Sequence, residues 1–468
     1  MTTFYIIIAY TVITLLLGIY IGRRNKNLQE FFVAKEKLGL MLCCVLLMAS
    51  TFAGAYTSGT VSDSYRIGFG PYIPVASMAV GYLLFMPLVR FYRSAAKEGH
   101  ISIPEAFGVR FDGKVKVAIL IINSLVYCAI FAVQPVALAS IIAPMIGADV
   151  NLVTWCAAGL MILMALTGLT GVAWMNLIHF LAMVGGLTVT AFVAINSAGG
   201  MAHLIETLPP ETWNVFQPDV PTSIVRLIAL SICMFAASEA ATIAIAAKSR
   251  RTANHSLIII SILIAIFTFL LIMIGISGQV LVPDLQSPRS ALYEIAASIS
   301  PALVIVASIA VIAAIMSSAP AYIIYFSTGI TRDIISRFTP NASEKRMRFY
   351  SIVCIFILAI GGTLLAMRAT SILYFLFNVF EVQSVTGLVL IVALYWKRVS
   401  ARSGFWSIII GAGTSAIWMF LGNPFGIIPA WIVLGFGISS LLIFTWLEKE
   451  KVSAGYTKMR EIMDKHPD

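Results

Sequence analysis

Charge is the scarcest feature of this chain. Asp, Glu, Lys and Arg make up 11% of its 468 residues, against about 25% in soluble domains, while 60% are hydrophobic. That balance excludes a water-soluble globular protein. Cysteine offers no framework either. Cys43, Cys44, Cys128, Cys156, Cys233 and Cys354 all lie in apolar runs and form no C-x-x-C pair, so neither a disulfide scaffold nor a zinc site is indicated. There is no Walker-type phosphate loop, which argues against ATP-driven transport, and no H-E-x-x-H or comparable cluster, which argues against a membrane-embedded hydrolase. No basic residue precedes the first apolar run. Arg23, Arg24 and Lys26 follow it instead, so it is not read as a cleaved signal peptide.

Long apolar runs fill the space these absences leave. A helix needs about 20 mostly apolar residues to cross a bilayer. The chain is expected to be an all-α polytopic membrane protein with about thirteen transmembrane helices, over 3–22, 39–58, 72–92, 117–144, 152–170, 172–197, 223–247, 257–281, 297–331, 349–367, 371–395, 404–421 and 427–446. The net charge of +10 then reflects Lys and Arg kept to one membrane side rather than a nucleic-acid partner. With the N-terminus outside and the C-terminus inside, only Arg66, Arg226, Arg289 and Arg368 of the 31 Lys and Arg fall outside. The outer loop 198–222 carries Glu206, Glu211 and Asp219 and no Lys or Arg. The tail after Trp446 is expected to be a short, frayed, charged helix.

Three stretches depart from lipid filler. Small and polar residues interrupt the second crossing at Ala49-Ser50-Thr51-Phe52-Ala53-Gly54-Ala55-Tyr56 and the seventh at Ala236-Ala237-Ser238-Glu239-Ala240-Ala241-Thr242. Interrupted helices at matching places in two halves point to a transporter binding site, and small residues also serve close helix packing. The third stretch is Ala313-Ala314-Ile315-Met316-Ser317-Ser318-Ala319-Pro320, where two hydroxyls sit beside a proline in an apolar run. Such hydroxyls either bond back to their own helix or seat a cation. Three further polar groups stand in apolar crossings, Glu239, Glu381 and His179. Intramembrane ionisable groups are functional candidates by default. For Glu239 the roles are pairing a solute amine, relaying a proton or hydrogen bonding within the bundle. For His179 and Glu381 they are proton transfer or packing.

Four fragments carry a resemblance. Glu30-Phe31-Phe32-Val33-Ala34-Lys35, Ile103-Pro104-Glu105 to Arg110-Phe111, Ala313-Ala314 with Ser317-Ser318 and later Thr331 and Asp333, and Tyr395-Trp396-Lys397-Arg398 with Gly404 resemble, in order, motifs of the sodium:solute symporter family. The resemblance implies a LeuT-type fold of five-plus-five inverted repeats with broken helices. It implies repeats over 39–197 and 223–395, an extra helix at 3–22, two C-terminal helices within 404–446 and a cytoplasmic tail, 447–468. It implies a Na+ site from the carbonyls of Ala49, Phe52 and Ala314 and the hydroxyls of Ser317 and Ser318. The solute would be lined by Ser50, Thr51, Tyr56, Ser238 and Glu239. Na+ is the implied coupling ion, with no organic cofactor. The partners are a small solute and the bilayer, with no obligate protein partner. The chain also departs from the family pattern. Asn176 replaces an acidic residue, Thr242-Ile243 replaces a Gln-Arg pair, and Pro320 and Ala321 stand where second-sodium hydroxyls occur, which points to one Na+ per cycle. Thr51 replaces the aspartate of proline carriers. The expected function is a cell-membrane Na+-coupled symporter and not an enzyme. A proton-coupled carrier of the same fold is the alternative, and a sensor or channel-like member a more distant one.

Overall fold

The computed structural model describes residues 2–24, 38–100, 102–166, 169–329, 335, 339, 343–368, 371–448 and 451–466. The motif residues Glu30 to Lys35, Thr331 and Asp333 lie outside them, as do the side chains of Pro320 and Ala321.

The described residues are almost entirely helical. Helix α1 is Thr2–Arg24, and a broken pair follows, α2 (Leu40–Thr51) and α3 (Gly54–Ile67). Next come α4 (Tyr72–Lys97), the short α5 (Ile103–Arg110), α6 (Gly113–Ile146), α7 (Val150–Leu166), α8 (Leu169–Ser197) and the short α9 (Gly200–Thr207). A second broken pair is α10 (Val220–Cys233) and α11 (Ser238–Ala246), joined by a 3-10 turn. The remainder is α12 (Arg250–Leu281), α13 (Ala291–Ile299), α14 (Pro301–Gly329), α15 (Glu344–Met367), α16 (Ile372–Tyr395), α17 (Ala401–Phe420), α18 (Pro429–Trp446) and α19 (Ala454–Lys465). Among the described residues nine helices are long and apolar enough to cross a membrane, or eleven when each bent pair counts as one crossing. The expected crossings 3–22 and 152–170 correspond to α1 and α7, whose described apolar stretches are shorter. Several helices overrun the expected spans at their basic ends, as α12 does from Arg250 rather than 257, and two boundaries differ for local reasons. The second crossing runs on to Ile67 rather than ending at 58, because the run of small and polar residues breaks the helix without ending the span. The ninth starts at Pro301, because Ser300 is extended and separates α13 from α14.

Polar residues are spent at helix ends, where backbone N–H groups lack intrahelical partners. Asp112 accepts from the N–H groups of Lys114 and Val115 to start α6, Asp219 caps α10 and Ser249 caps α12. Ser371, Ser400 and Ser453 cap α16, α17 and α19 in the same way. The long interior helix α14 packs on α6 and α8, and α12 packs on α3 and α4. Counting each broken pair once and setting aside α5 and α9, the second broken pair is the fifth element after the first.

At the end of the bundle rich in Lys and Arg, the tail is ordered rather than frayed. Met459 and Met463 bury one face of α19, and the helix lies across the ends of α4 and α5. Arg90 Nη2 donates to the Met463 carbonyl (3.0 Å), Ser94 Oγ to the His466 carbonyl (3.3 Å), and Glu98 accepts from Lys465 Nζ (2.7 Å) and bonds His466 Nε2 (2.8 Å). Arg110, fully buried, closes the arrangement. Its Nε, Nη1 and Nη2 donate to Ala393 O (2.9 Å), Ser453 Oγ (3.0 Å) and Val399 O (2.9 Å). A charge buried this way is tolerated because its donors meet fixed oxygens.

Hydrogen bonds from Lys465 and then His466 hold the Glu98 carboxyl down to about 2, from an ordinary 4.5. Because the docked carboxyl is the more acidic one, its contribution to docking is present above pH 4.5 and lost as pH falls toward about 2. At neutral pH, Glu98→Gln should therefore release the tail. Hydrogen–deuterium exchange across 454–466 is expected to speed up several-fold in that variant, with exchange in α12 unchanged.

Candidate functional site

The two breaks create the site. In the first, Phe52 (φ −91°, ψ 62°) and Ala53 (φ −64°, ψ 162°) leave the helix, and the flanking segments bend by 54°. In the second, Met234–Ala236 form a 3-10 turn, Ala237 is extended, and the bend is 44°. A helix that stops leaves its last four carbonyls without helical donors, which at the end of α2 are those of Ala49, Ser50, Thr51 and Phe52. Met48 O takes the Phe52 N–H (2.9 Å), and Ser50 O takes the Tyr322 hydroxyl (2.5 Å) from α14. The break is also pressed against α14 at Gly54. A Cβ on Gly54 would come to 1.9 Å of Ile315 Cγ1 and 3.3 Å of Gln134 Oε1, so only glycine fits. Ile315 and Tyr322 thus pin the break to α14 on either side of Ser317 and Ser318.

The expected cation ligands Ala49, Phe52, Ala314, Ser317 and Ser318 are all buried. Both serine hydroxyls donate to the Ala314 carbonyl, Ser317 at 2.9 Å and Ser318 at 2.8 Å. That bond spends each hydroxyl's proton and leaves its oxygen lone pairs to face another group. Self-bonding and cation coordination by Ser317 and Ser318 are therefore compatible. The Ala314 carbonyl, by contrast, has both acceptor positions filled in this geometry.

A small cavity of about 30 Å³ lies between the breaks, lined by Ser50, Thr51, Tyr56, Tyr127, Glu239 and Tyr322 among others. Thr51 Oγ1 donates to Leu47 O (2.7 Å) and meets the Tyr82 hydroxyl (3.0 Å), while the Tyr56 hydroxyl reaches Val75 O (3.2 Å) and Met78 Sδ (3.0 Å). Ser238 does not line the cavity directly, and its hydroxyl accepts from Tyr127. The rings of Tyr127 and Tyr322 stack at 5.8 Å, forming one wall. Glu239 sits in the first turn of α11, where the helix dipole favours an anion. Its Oε1 lies 3.5 Å from the Tyr322 oxygen, whose proton is given to Ser50 O. Among the described residues Glu239 has no cationic partner.

The other two ionisable candidates stand apart from this cavity. His179 Nδ1 bonds the Tyr10 hydroxyl (2.8 Å) and joins α8 to α1. Glu381 is fully buried in an ion pair that sequence reasoning did not anticipate. Its Oε1 meets Arg226 Nε at 2.6 Å and its Oε2 accepts the Ala430 N–H at 3.0 Å, while Arg226 lies 5.0 Å over the Tyr374 ring. Arg226 had been counted among the loop charges of the outer side. The burial of both partners makes this pair a junction of α10, α16 and α18.

A sodium:solute symporter family model matches residues 31–411 of the chain. The chain belongs to the sodium:solute symporter family. Its relatives are transporters rather than enzymes, and this family member is a multi-pass membrane protein. It is 23% identical to the osmoregulated proline transporter OpuE of Bacillus subtilis, covering 97% of this chain and 96% of that one. It is 21% identical to the sodium/pantothenate symporter of Escherichia coli, covering 88% and 89%. Among solved structures it resembles a Na+-coupled sialic acid symporter in a substrate-bound, outward-open state, with a TM-score of 0.76 at 18% identity over 97% of this chain and 99% of that one. It also resembles a nucleobase-cation-symport-1 family transporter in a closed conformation, with a TM-score of 0.58 at 15% identity over 93% and 95%. These likenesses give this transporter a LeuT-type fold.

Tyr322, Tyr127, Tyr82 and Gln383 also shape the site and were not singled out from the sequence. Tyr322 carried a usable signal, since it lies four residues after Ser318 and so on the same helix face. The Gly54 contact yields a direct test. Gly54→Ala should abolish solute uptake and destabilise the folded protein by about 1–3 kcal/mol through overpacking. The double variant Gly54→Ala/Ile315→Ala, which clears the space, should recover most of the lost melting temperature.

Proposed function

We propose that this family member is a Na+-coupled secondary-active symporter of the cell membrane, importing a small polar organic solute by alternating access. The observation that carries the reading is the pinning of the first break to α14 on both sides of Ser317 and Ser318. On this reading Na+ takes the carbonyls of Ala49 and Phe52 and the hydroxyls of Ser317 and Ser318. The Ala314 carbonyl joins once one hydroxyl turns away. A small hard cation takes oxygen ligands, and a helix break supplies them. Bound Na+ would tie the broken helix to α14 and favour the state that accepts solute. In the solute-bound state the cavity beside Ser50, Thr51 and Tyr56 widens to hold the solute. Its amine pairs Glu239, the cavity carboxyl without a cation, against the Tyr127 and Tyr322 wall. Ser238 acts by holding Tyr127. His179 and Glu381 are assigned packing and ion-pair roles rather than proton transfer.

We infer repeats over 39–197 and 223–395, an outside N-terminus, an inside tail and one Na+ per cycle. One charge crossing about 100 mV supplies roughly 2.3 kcal/mol, and a tenfold Na+ gradient adds about 1.4 kcal/mol. Together they concentrate a neutral solute by roughly 500-fold, so one Na+ suffices for scavenging. Proline, named for several relatives, does not carry over, because Thr51 stands where proline carriers have an aspartate. Proton coupling is the second reading, favoured by Glu239.

Two measurements separate these. In liposomes at fixed pH, an imposed Na+ gradient should drive uptake, whereas uptake that answers only to a proton gradient would sink the sodium reading. Ser317→Ala/Ser318→Ala should abolish Na+-dependent uptake with expression and folding intact. Normal Na+ affinity in that variant would refute the cation site.

A further inference from the structure

The halves of the broken helices that run from the cavity to the basic end, α2 and α11, pack together and are joined at that end through their backbones. Leu38, just ahead of α2, forms a parallel bridge with Ala247, the residue that ends α11. The Leu38 N–H donates to the Ala246 carbonyl (3.0 Å) and the Lys248 N–H to the Leu38 carbonyl (3.0 Å). This is the one strand-like pairing among the described residues. A third element holds it. Arg93 of α4 is buried, and its Nη1 donates to the carbonyls of Ala244 (3.1 Å) and Ala247 (2.9 Å). Arg93 and Leu38 thereby satisfy the carbonyls of Ala244, Ala246 and Ala247, which the end of α11 leaves without helical donors.

The bridge stands across a way out. The cavity lies between the breaks, so a route from it to the basic end runs along α2 and α11, and the bridge ties those two helices where the route would open. Its bonds suit a contact that parts and re-forms. Lys248 is exposed and Leu38 half-buried, so water takes over both backbone bonds when the helices separate, and a bond that water replaces contributes little net stability. The Arg226–Glu381 pair is the opposite case, with both partners buried and costly to separate. Helix α11 is only nine residues long and carries Glu239 in its first turn, so movement at the bridge is carried to the cavity. We propose that the bridge between Leu38 and Ala247 is the inner gate of the transport route, opening once in each cycle, with Arg93 as the positioning residue that holds it shut. This rests on the alternating-access reading above, and not on the identity of the solute or of the coupling ion.

The test asks from which face the cavity is reached. In the full-length protein with its native cysteines replaced by alanine, Ala237→Cys puts a thiol in the cavity lining. Cys43 is among those replaced because its thiol reaches the Leu38 carbonyl at 3.8 Å. Paired positions on adjacent strands lie about 4.7–4.9 Å apart, within the Cα–Cα range of a disulfide, so Leu38→Cys/Ala247→Cys is suited to oxidation across the bridge. On the inferred topology, inside-out vesicles present the basic end and right-side-out vesicles the opposite one. A membrane-impermeant maleimide should label the Ala237→Cys thiol in both. Oxidation of the pair should slow labelling at least about tenfold in inside-out vesicles only, and dithiothreitol should restore it. Labelling unchanged by oxidation, or absent from that face before it, overturns the proposal. The comparison uses one protein before and after reduction, which keeps it free of folding differences. Arg93→Ala should speed labelling from the basic end several-fold, and Arg93→Lys, which keeps a donor, should return it toward the parent rate. An Arg93→Ala variant that labels faster from both faces, or no faster from either, would remove Arg93 from the gate. Replacing K+ by Na+ should slow labelling from the basic end. If Na+ has no effect while oxidation still blocks labelling, the sodium reading fails and the gate stands.

Discussion

A helix that breaks inside hydrocarbon must find partners for the carbonyls it frees, and the rest of this structure is arranged around meeting that demand. The bond from the Tyr322 hydroxyl to the Ser50 carbonyl is the clearest case. It requires α14 to lie against the break, which in turn requires glycine at position 54, since any side chain there would strike Ile315. With α14 in place, Ser317 and Ser318 are brought beside the break, and the rings of Tyr322 and Tyr127 form the cavity wall. The same tyrosine reaches Glu239 at the second break, so one hydroxyl touches both interruptions. Elsewhere the demand is met by small means. A 3-10 turn eases the second break, and serine or aspartate caps start α6, α10, α12, α16, α17 and α19.

Charge follows the same logic. The few ionisable groups inside the bundle are held by fixed partners or face a cavity. Arg226 and Glu381 neutralise one another where α10, α16 and α18 meet, and removing either partner of such a buried pair costs about 3–5 kcal/mol. Arg110 and Arg93 donate to backbone carbonyls at the basic end. Glu239 is the group that faces a cavity. Its carboxyl is met by its own backbone N–H and lies 3.5 Å from the Tyr322 oxygen, in a cavity whose lining carries no cation among the described residues. A structural carboxyl would be expected to have found better company, which is why Glu239 weighs in the choice between solute amine and proton as its partner.

Much of this was legible before any coordinates. The low charge and the apolar runs gave a polytopic helical protein, and the small polar residues around Phe52 and Ala237 marked both breaks, because Ala, Gly and Ser neither fill lipid well nor hold a helix firmly. The family was legible from four short motifs. What was not legible depended on partners distant in sequence. Arg226 looked like a loop charge until Glu381, 155 residues on, was seen beside it. Tyr322 and Tyr127 looked like ordinary aromatic residues of apolar helices. The tail read as a frayed helix, since the groups that fix it belong to α4, its C-cap and α5. The division of the 297–331 stretch was hidden because apolar composition runs unbroken across Ser300, where the backbone turns.

The docking of α19 also has a consequence in time. Arg90, Ser94 and Glu98 find their partners at residues 463 to 466, and Arg110 waits for Ala393, Val399 and Ser453. During synthesis the basic end of α4 therefore emerges before the segment of α19 that later engages Arg90, Ser94 and Glu98. That is the condition under which Arg90, Arg93 and Lys97 act most strongly on the direction of insertion. Only when α19 has been made is Glu98 engaged by Lys465 and His466 and this end of the bundle closed. The charges that orient the nascent helix and the charges that fasten the finished protein overlap, used first free and then paired.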